Sequence, residues 1–395
     1  MVTTRKIAEF TTVSTCNCLL AGELPGAWGR FDAIVGCYEL LSGDPPSHGD
    51  TYRGFLSGLL CKRQEEGSGW KLHVGDVDCF GSLPQSPSRS LPGIFDLAHW
   101  CDESRLMACC TDGSIRLFEV KDGHCEESFF SVGDTMLTSC SPFYGSSELQ
   151  VKCVCTAHKG AVSVYDLATR TVIGTPKGHE YDAWCSATTG ADTALTGGDD
   201  CMLRLHDVRV GGGSLVGEMR FDAGVVSVSP ISKCGNSATT LSLVGSYDEH
   251  LYLVDLRFTK QPLTSVSLGG GVWRCSRQLL RDQLTPEAKA AMHRFRWVQE
   301  ANVLAVPVMQ GGVALVRYDV TSDEGEIFTL LGHLHQSGSG SECDAGLCGD
   351  ALFYDCAVLP DRDCCSEPTR KGSVSIVACD FYKKTVSLWQ VDGIR

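Results

Sequence analysis

Six short stretches of this chain end alike, and that repetition restricts the fold more than any other feature. SIRLFEV (114–120), AVSVYDL (161–167), MLRLHDV (202–208), HLYLVDL (250–256), VALVRYD (313–319) and TVSLWQV (385–391) are strand-like runs of one design. A tight polar turn precedes each: TDG at 111–113, HKG at 158–160, GGDD at 197–200, SYDE at 246–249, QGG at 310–312 and FYKK at 381–384. An apolar run such as LMACC, VKCVC or LSLVG precedes each turn in its place. Two such runs around turn residues that tolerate positive φ, or that bond their own backbone, form a β-hairpin. Asp166 and Asp207 are 41 residues apart, and Asp207 and Asp255 are 48. A period near 40–45 residues with a hydrophobic–Asp ending is that of a propeller blade. One four-stranded blade cannot bury both of its faces, so blades must stack in a ring.

The count is seven. An N-terminal blade reads as VSTCNCLL, FDAIVGCY (31–38), RGFLSGLLCK (53–62) and WKLHVGD (70–76). The last blade then has three strands, ALFYDCAV (351–358), SIVACDF (375–381) and TVSLWQV, and its fourth is supplied by RKIAEFTT (5–12). Closure of this kind removes exposed strand edges. The expectation is an all-β, seven-bladed WD-repeat β-propeller filling residues 1–395 as one domain. Gly/Ser/Pro-rich or polar loops are expected at 42–50, 81–92, 336–350 and 361–372. Residues 285–295, with Thr285 as N-cap and Pro286 in the first turn, predict a short helical insertion in blade six.

Composition limits the function. Thirty-four basic against 48 acidic residues give a formal charge of −14, which argues against nucleic acid or an anionic membrane as partner. The 22 cysteines fall in adjacent or alternating pairs such as Cys109-Cys110 and Cys16/Cys18, without the paired C-x-x-C spacing of a zinc site. Within apolar strands they act as small hydrophobes. With no apolar leader in MVTTRKIAEF and no run long enough for a membrane span, a reduced, cytoplasmic monomer without disulfides is expected.

No catalytic signature is present: no G-x-S-x-G, H-E-x-x-H, phosphate loop or dinucleotide fingerprint. His333 and His335 form an H-x-H pair without a third ligand, so no metal and no cofactor are expected. Asp112, Asp199, Asp200 and Asp248 lie in hairpin turns, where they read either as acid–base groups or as structural acceptors. For Asp199, a bond from His179 of the preceding Gly-His is the structural option. Clusters that a bare propeller does not need stand at GHEYDAW (178–184), GGDD, GSYDEH (245–250), LGGGVWR (268–274), LFYDCAV (352–358) and CDFYKKTVSLW (379–389). Trp184, Tyr247, Trp273 and Tyr382 beside Glu180, Asp200 and Glu249 suit a fixed cation through π-faces and carboxylates.

These clusters, with VGCYEL, GIFDLAHW and TDGSIRLFEV, resemble the WD-repeat diphthine methylesterase family of diphthamide biosynthesis along almost the whole chain. The chain departs from that pattern at His206-Asp207 and Val254-Asp255, where Trp-Asp endings are usual, and is identified as a divergent member. The resemblance implies hydrolysis of the methyl ester of methylated diphthine, a modified histidine of translation elongation factor 2, the protein substrate. Candidate roles are His179 or Asp200 as base, Ser246 as nucleophile, and Arg274 or the Gly269–Gly271 amides as oxyanion donors. Glu180, Trp184, Tyr247, Glu249, Trp273 and Tyr382 are the candidate substrate-binding residues. The competing reading is a non-catalytic scaffold for protein–protein interaction.

Overall fold

The computed structural model describes residues 2–12, 14–21, 32–41, 51–63, 70–76, 91–99, 105–121, 124–143, 152–209, 212–231, 240–274, 303–318, 326–334, 351–359 and 373–393. The helix expected at 285–295 lies outside them, as do the loops expected at 42–50, 336–350 and 361–372 and all but the last two residues of 81–92.

Seven antiparallel sheets follow one another along the chain. Blade one holds β2 (Thr15–Ala21), β3 (Ala33–Leu41), β4 (Thr51–Arg63) and β5 (Trp70–Asp76). Blade two holds β6 (Ile94–His99), β7 (Arg105–Cys110), β8 (Ser114–Lys121) and β9 (His124–Ser131). Blade three comprises β10 (Leu137–Pro142), β11 (Lys152–Ala157), β12 (Val162–Asp166) and β13 (Thr171–Gly174). Blade four comprises β14 (Ala183–Thr188), β15 (Thr193–Gly198), β16 (Met202–Asp207) and β17 (Ser214–Arg220). In blade five are β18 (Val225–Ile231), β19 (Leu241–Ser246), β20 (His250–Asp255) and β21 (Thr264–Ser267). Blade six shows three strands among the described residues, β22 (Val303–Pro307), β23 (Val313–Tyr318) and β24 (Phe328–Leu334).

Blade seven closes the ring. Its strands β25 (Phe353–Val358), β26 (Ser373–Asp380) and β27 (Thr385–Asp392) are completed by β1 (Thr3–Thr11) from the other end of the chain. The register runs from Thr3 opposite Asp392 to Thr11 opposite Thr385. Ile7, Ala8 and Phe10 of β1 pack on the junction between blades seven and one.

The core is divided accordingly. Each junction between consecutive blades carries its own buried apolar cluster, seven in all among the described residues. Strands such as β22, VLAVP, are therefore apolar on both faces, as a strand sandwiched between two sheets must be. Each fully buried Leu, Ile or Val contributes roughly 1.5–3 kcal/mol relative to exposure. The ring is thus held by side-chain packing at every junction, and the channel it encloses is left free for polar groups.

A second regularity positions the site. The first strand of each blade is its innermost, and in six blades it carries a one-residue bulge near its start. The bulged residues are Asn17, Phe95, Thr138, Trp184, Val226 and Tyr354. Cys185 Sγ donates to Val225 O, and Ser227 Oγ donates in the same way to Val272 O one blade further on. That correspondence places Trp273 and Arg274 of blade six in register with Val226 and Ser227 of blade five. Bulges re-aim side chains at the rims of closed sheets, and here six of them, with Trp273 in the corresponding place of blade six, bring side chains to one end of the channel.

Candidate functional site

The hairpin turns and the segments entering the blades share that end. Backbone amides of the turns donate to carbonyls of the entry segments: Thr111 N to Gly93 O at 2.9 Å, Asp199 N to Asp182 O at 2.9 Å, Tyr247 N to Gly224 O at 3.0 Å and Phe381 N to Leu352 O at 2.7 Å. Sequence clusters far apart in the chain thereby meet on one rim.

Six aromatic rings close a collar there. Phe95 stacks on Tyr38 at 5.8 Å and on Trp184 at 6.0 Å. Trp184 meets Trp273 at 5.5 Å, and Trp273 stacks on Tyr354 at 4.8 Å. Tyr354 meets Phe381 at 4.7 Å, and Phe381 returns to Tyr38 at 5.4 Å. Small bulge residues, Thr138 and Val226, alternate with the large Phe95, Trp184 and Trp273, which gives the big rings room to meet. Tyr247 leans on Trp273 at 6.1 Å, and His158 sets its edge against Trp184 at 5.3 Å. Carboxylates join the collar at the blade-four side: Trp184 Nε1 donates to Asp199 Oδ1 at 2.7 Å, and His158 Nδ1 lies 2.9 Å from Asp182 Oδ2. Burial raises the Asp199 carboxyl above its ordinary range despite the Trp184 bond.

Beneath the collar the channel turns polar. The residue after each bulge, Cys18, Asp96, Ser139, Cys185, Ser227 and Asp355, lies in that layer, and Arg274 takes the corresponding place in blade six. Arg274 Nη1 donates to Asp96 Oδ1 at 2.6 Å, its Nη2 donates to Phe95 O at 3.1 Å, and its Nε lies 3.7 Å from Asp355 Oδ2. Burial alone would lower the guanidinium's affinity for its proton; the two carboxylates outweigh that and raise it, so Arg274 is a permanent cation. A cavity of about 30 Å³ lies between Phe95, Trp184 and Trp273 above and Asp96, Ser139, Ser227 and Arg274 below, room for about two waters. The arrangement sets a ring of aromatic faces over a guanidinium able to donate to negative charge one layer deeper, with a water-sized cavity between them.

Metal binding has one geometric candidate among the described residues, Asp96 with Cys109 and Cys140. Asp96 already accepts from Leu97 N, Ser139 Oγ, Cys140 N and Arg274. Burial holds the Cys109 thiol well above its usual range, which disfavours the thiolate a metal needs. These residues do not form a ligand set.

Of the four candidate catalytic residues, Arg274 alone lines the cavity. His179 and Asp200 lie sealed in the wall of blade four, with side chains 0% and 3% exposed. His179 Nδ1 is 2.8 Å from Asp200 Oδ1, and Arg204 Nη1 donates to Asp200 Oδ2 at 2.6 Å. His179 Nε2 and His206 Nε2 each lie 2.9 Å from Thr196 Oγ1. Thr196 Oγ1 joins the two imidazoles, and His179 Nδ1 is met by both Asp200 Oδ1 and, at 2.7 Å, Arg204 Nη1. The histidine's partner is thus Asp200, one residue beyond the Asp199 expected for it. Ser246 is fully buried, its hydroxyl accepting the Asp248 amide at 3.3 Å. A buried hydroxyl that caps a turn and a sealed His–Asp pair serve the blade; neither meets the cavity.

The substrate-binding candidates divide. Trp184, Tyr247 and Trp273 belong to the collar or lean on it. Tyr382 stands outside, 66% exposed, with its ring edge on Phe381 at 5.6 Å. Glu180 and Glu249 are exposed on the rim, Glu249 holding a turn with φ 69°. Sequence reading missed Tyr38, Phe95, Tyr354, Phe381 and the carboxylates Asp96 and Asp355. Aligning the blade entries IFD, AWC, VWR and FYD would have shown Phe95, Asp96, Tyr354 and Asp355, since an aromatic residue and then a chemistry-bearing one recur at that position; Tyr38 and Phe381 come from a second strand and a turn and leave no such mark.

Fold and channel define the class: a WD-repeat β-propeller with an aromatic-lipped polar channel. One chain of the crystal structure of the mitotic checkpoint complex superposes with a TM-score of 0.59 over 98% of this chain and 92% of its own, at 10% identity, a likeness of fold alone. No family model matches the sequence. A diphthine methyltransferase homolog of Dictyostelium discoideum is 31% identical over 255 residues, 60% of this chain and 59% of that protein. The Saccharomyces cerevisiae diphthine methyltransferase is 28% identical over 202 residues, 46% of this chain and 47% of that protein. For the mouse diphthine methyltransferase the match is 40% over 98 residues, 24% of this chain and 20% of that protein. The chain is a divergent homologue of these proteins, and it spans less than two thirds of the length of each.

Proposed function

We propose that this propeller hydrolyses the methyl ester of methylated diphthine on translation elongation factor 2, releasing diphthine and methanol. The closed aromatic collar directly above Arg274 is the observation that carries this reading. Methylated diphthine bears a quaternary ammonium, which six π-faces attract without needing a hydrogen bond. A ring of six with neighbouring centroids this close keeps a central cation within about 6 Å of the rings, the range of that attraction. The ester then faces the polar layer, where Arg274 N–H groups stabilise the developing oxyanion and the cavity supplies water. The names of the homologues support diphthine as the substrate class. Thirteen described cysteines, all free, suit the reducing compartment in which we place the reaction, the cytosol.

The test is methanol release from purified methyl-esterified elongation factor, followed by mass spectrometry of the modified histidine. The expected outcome is stoichiometric methanol and loss of one methyl group from the histidine. Binding of the factor with no methanol released would leave a non-catalytic scaffold and overturn the hydrolase reading.

A further inference from the structure

Arg274 sits between two carboxylates that grip it unequally. Asp96 holds it at 2.6 Å and is filled on both oxygens: Oδ1 accepts from Leu97 N at 2.9 Å and from Arg274, and Oδ2 from Ser139 Oγ at 3.0 Å and Cys140 N at 3.3 Å. Its side chain is 1% exposed. A carboxylate so occupied is a poor proton acceptor but a firm anchor. Asp355, from blade seven, is fixed differently. Its Oδ1 accepts Cys356 N at 2.9 Å and its Oδ2 accepts Leu19 N of blade one at 2.8 Å. Its side chain is 11% exposed, and its Oδ2 stands 3.7 Å from Arg274 Nε.

That Nε–H is buried and has no hydrogen-bond acceptor among the described residues. A donor left so is costly. The 3.7 Å separation is too long for a direct bond; Nε is closed to solvent, so a water joins the two groups once the side chains part to admit it.

The geometry points to Asp355 as the general base of the channel, taking a proton from a water admitted between its Oδ2 and Arg274 Nε, with Asp96 as the positioning residue for the guanidinium. The inference rests on the ester-hydrolase reading of the site. In the step it implies, the water oxygen bonds to the ester carbonyl carbon and one of its protons passes to Asp355. The carbonyl oxygen takes the electron pair and leans on Arg274. When the pair returns, the bond from carbon to methoxide breaks, and Asp355 gives its proton to the departing oxygen to make methanol. The new carboxylic acid loses its remaining proton to solvent, and no other reactant is needed.

The experiment measures methanol release by the full-length protein from methyl-esterified elongation factor between pH 5 and 8. Asp355→Asn should lower kcat roughly 10²–10³-fold and remove the acid limb of the kcat profile, with KM changed less than about threefold because the collar is untouched. Asp96→Asn should lower kcat but keep the acid limb, since the base remains. Should Asp355→Asn melt well below the parent, Asp355→Ala with added formate replaces it, and partial recovery of rate with formate is expected. Asp355→Asn keeping more than a third of the parent kcat, or keeping its acid limb, would overturn the assignment, as would Asp355→Ala that formate does not rescue. A parent protein that releases no methanol would instead overturn the hydrolase reading beneath it.

Discussion

Blade four's wall and the channel floor are both built from an arginine flanked by acidic side chains, and they differ in what surrounds them. In the wall, Arg204, Asp200, His179, Thr196 and His206 lie nearly sealed, and the carboxylate answers both Arg204 and His179. In the floor, Arg274 lines a water-sized cavity and lies under the aromatic ring. Charge in a protein interior is therefore not a mark of catalysis. Each arginine keeps its Nε without an acceptor among the described residues, so the cavity makes the difference: a network packed away from it stabilises a blade, and one that lines it can meet a substrate.

The difference can be broken first from the wall side. Asp200→Ala strands Arg204 and His179 in a nearly sealed site, and losing one partner of a buried ion pair costs about 3–5 kcal/mol. Urea denaturation should show that loss, while the folded fraction keeps its rate of ester hydrolysis. A variant that unfolds like the parent would show that the network carries no structural load.

Acid sharpens the contrast next. Burial, aided by His179 and Arg204, lowers His206 from its ordinary 6.5 to about 4. The unfolded chain then takes up a proton below pH 6.5 that the folded chain refuses until about pH 4. The stability at this residue is complete above pH 6.5 and is lost as pH falls toward 4, by about 1.4 kcal/mol per pH unit. His206→Asn should remove that part of the slope between pH 7 and 5. An unchanged slope would mean that the ring is not held neutral.

These two regions were unequally visible in the sequence. Strand order, blade count and the closing of the ring by residues 5–12 followed from the repeated strand endings and turns and their spacing, because each of those patterns is local. The collar was half visible: Trp184, Trp273, Tyr354 and Phe381 stood in unusual clusters, but Tyr38 and Phe95 sit in ordinary apolar strands, and at Phe95 a bulge turns the ring to the mouth. His179, Asp200 and Ser246 drew attention as chemistry-bearing types in distinctive turns. What sequence could not supply was their burial: a cross-strand bond to Thr196 and an arginine four residues on make the His–Asp pair part of the wall. Asp96 and Asp355, 259 residues apart, meet at Arg274.

A smaller effect bears on the collar itself. Tyr247 touches it from outside, so Tyr247→Ala should weaken binding of tetramethylammonium by roughly two- to fivefold, the scale of one exposed cation–π contact. Trp273→Ala, which breaks the ring, should weaken it more. Calorimetric titration that ranked them the other way would place the cation outside the collar.

The central claim is that chemistry belongs to the channel and not to the wall, and a paired measurement of kcat/KM tests it most directly. Arg274→Lys keeps a cation for Asp96 but removes the planar fork, while His179→Gln alters only the sealed network. With methyl-esterified elongation factor as substrate and rates corrected for folded protein, Arg274→Lys should lose roughly 10²-fold. His179→Gln should remain within about threefold of the parent, since it supplies no group to the transition state. The reverse result, a collapse in His179→Gln with Arg274→Lys nearly unaffected, would contradict the account.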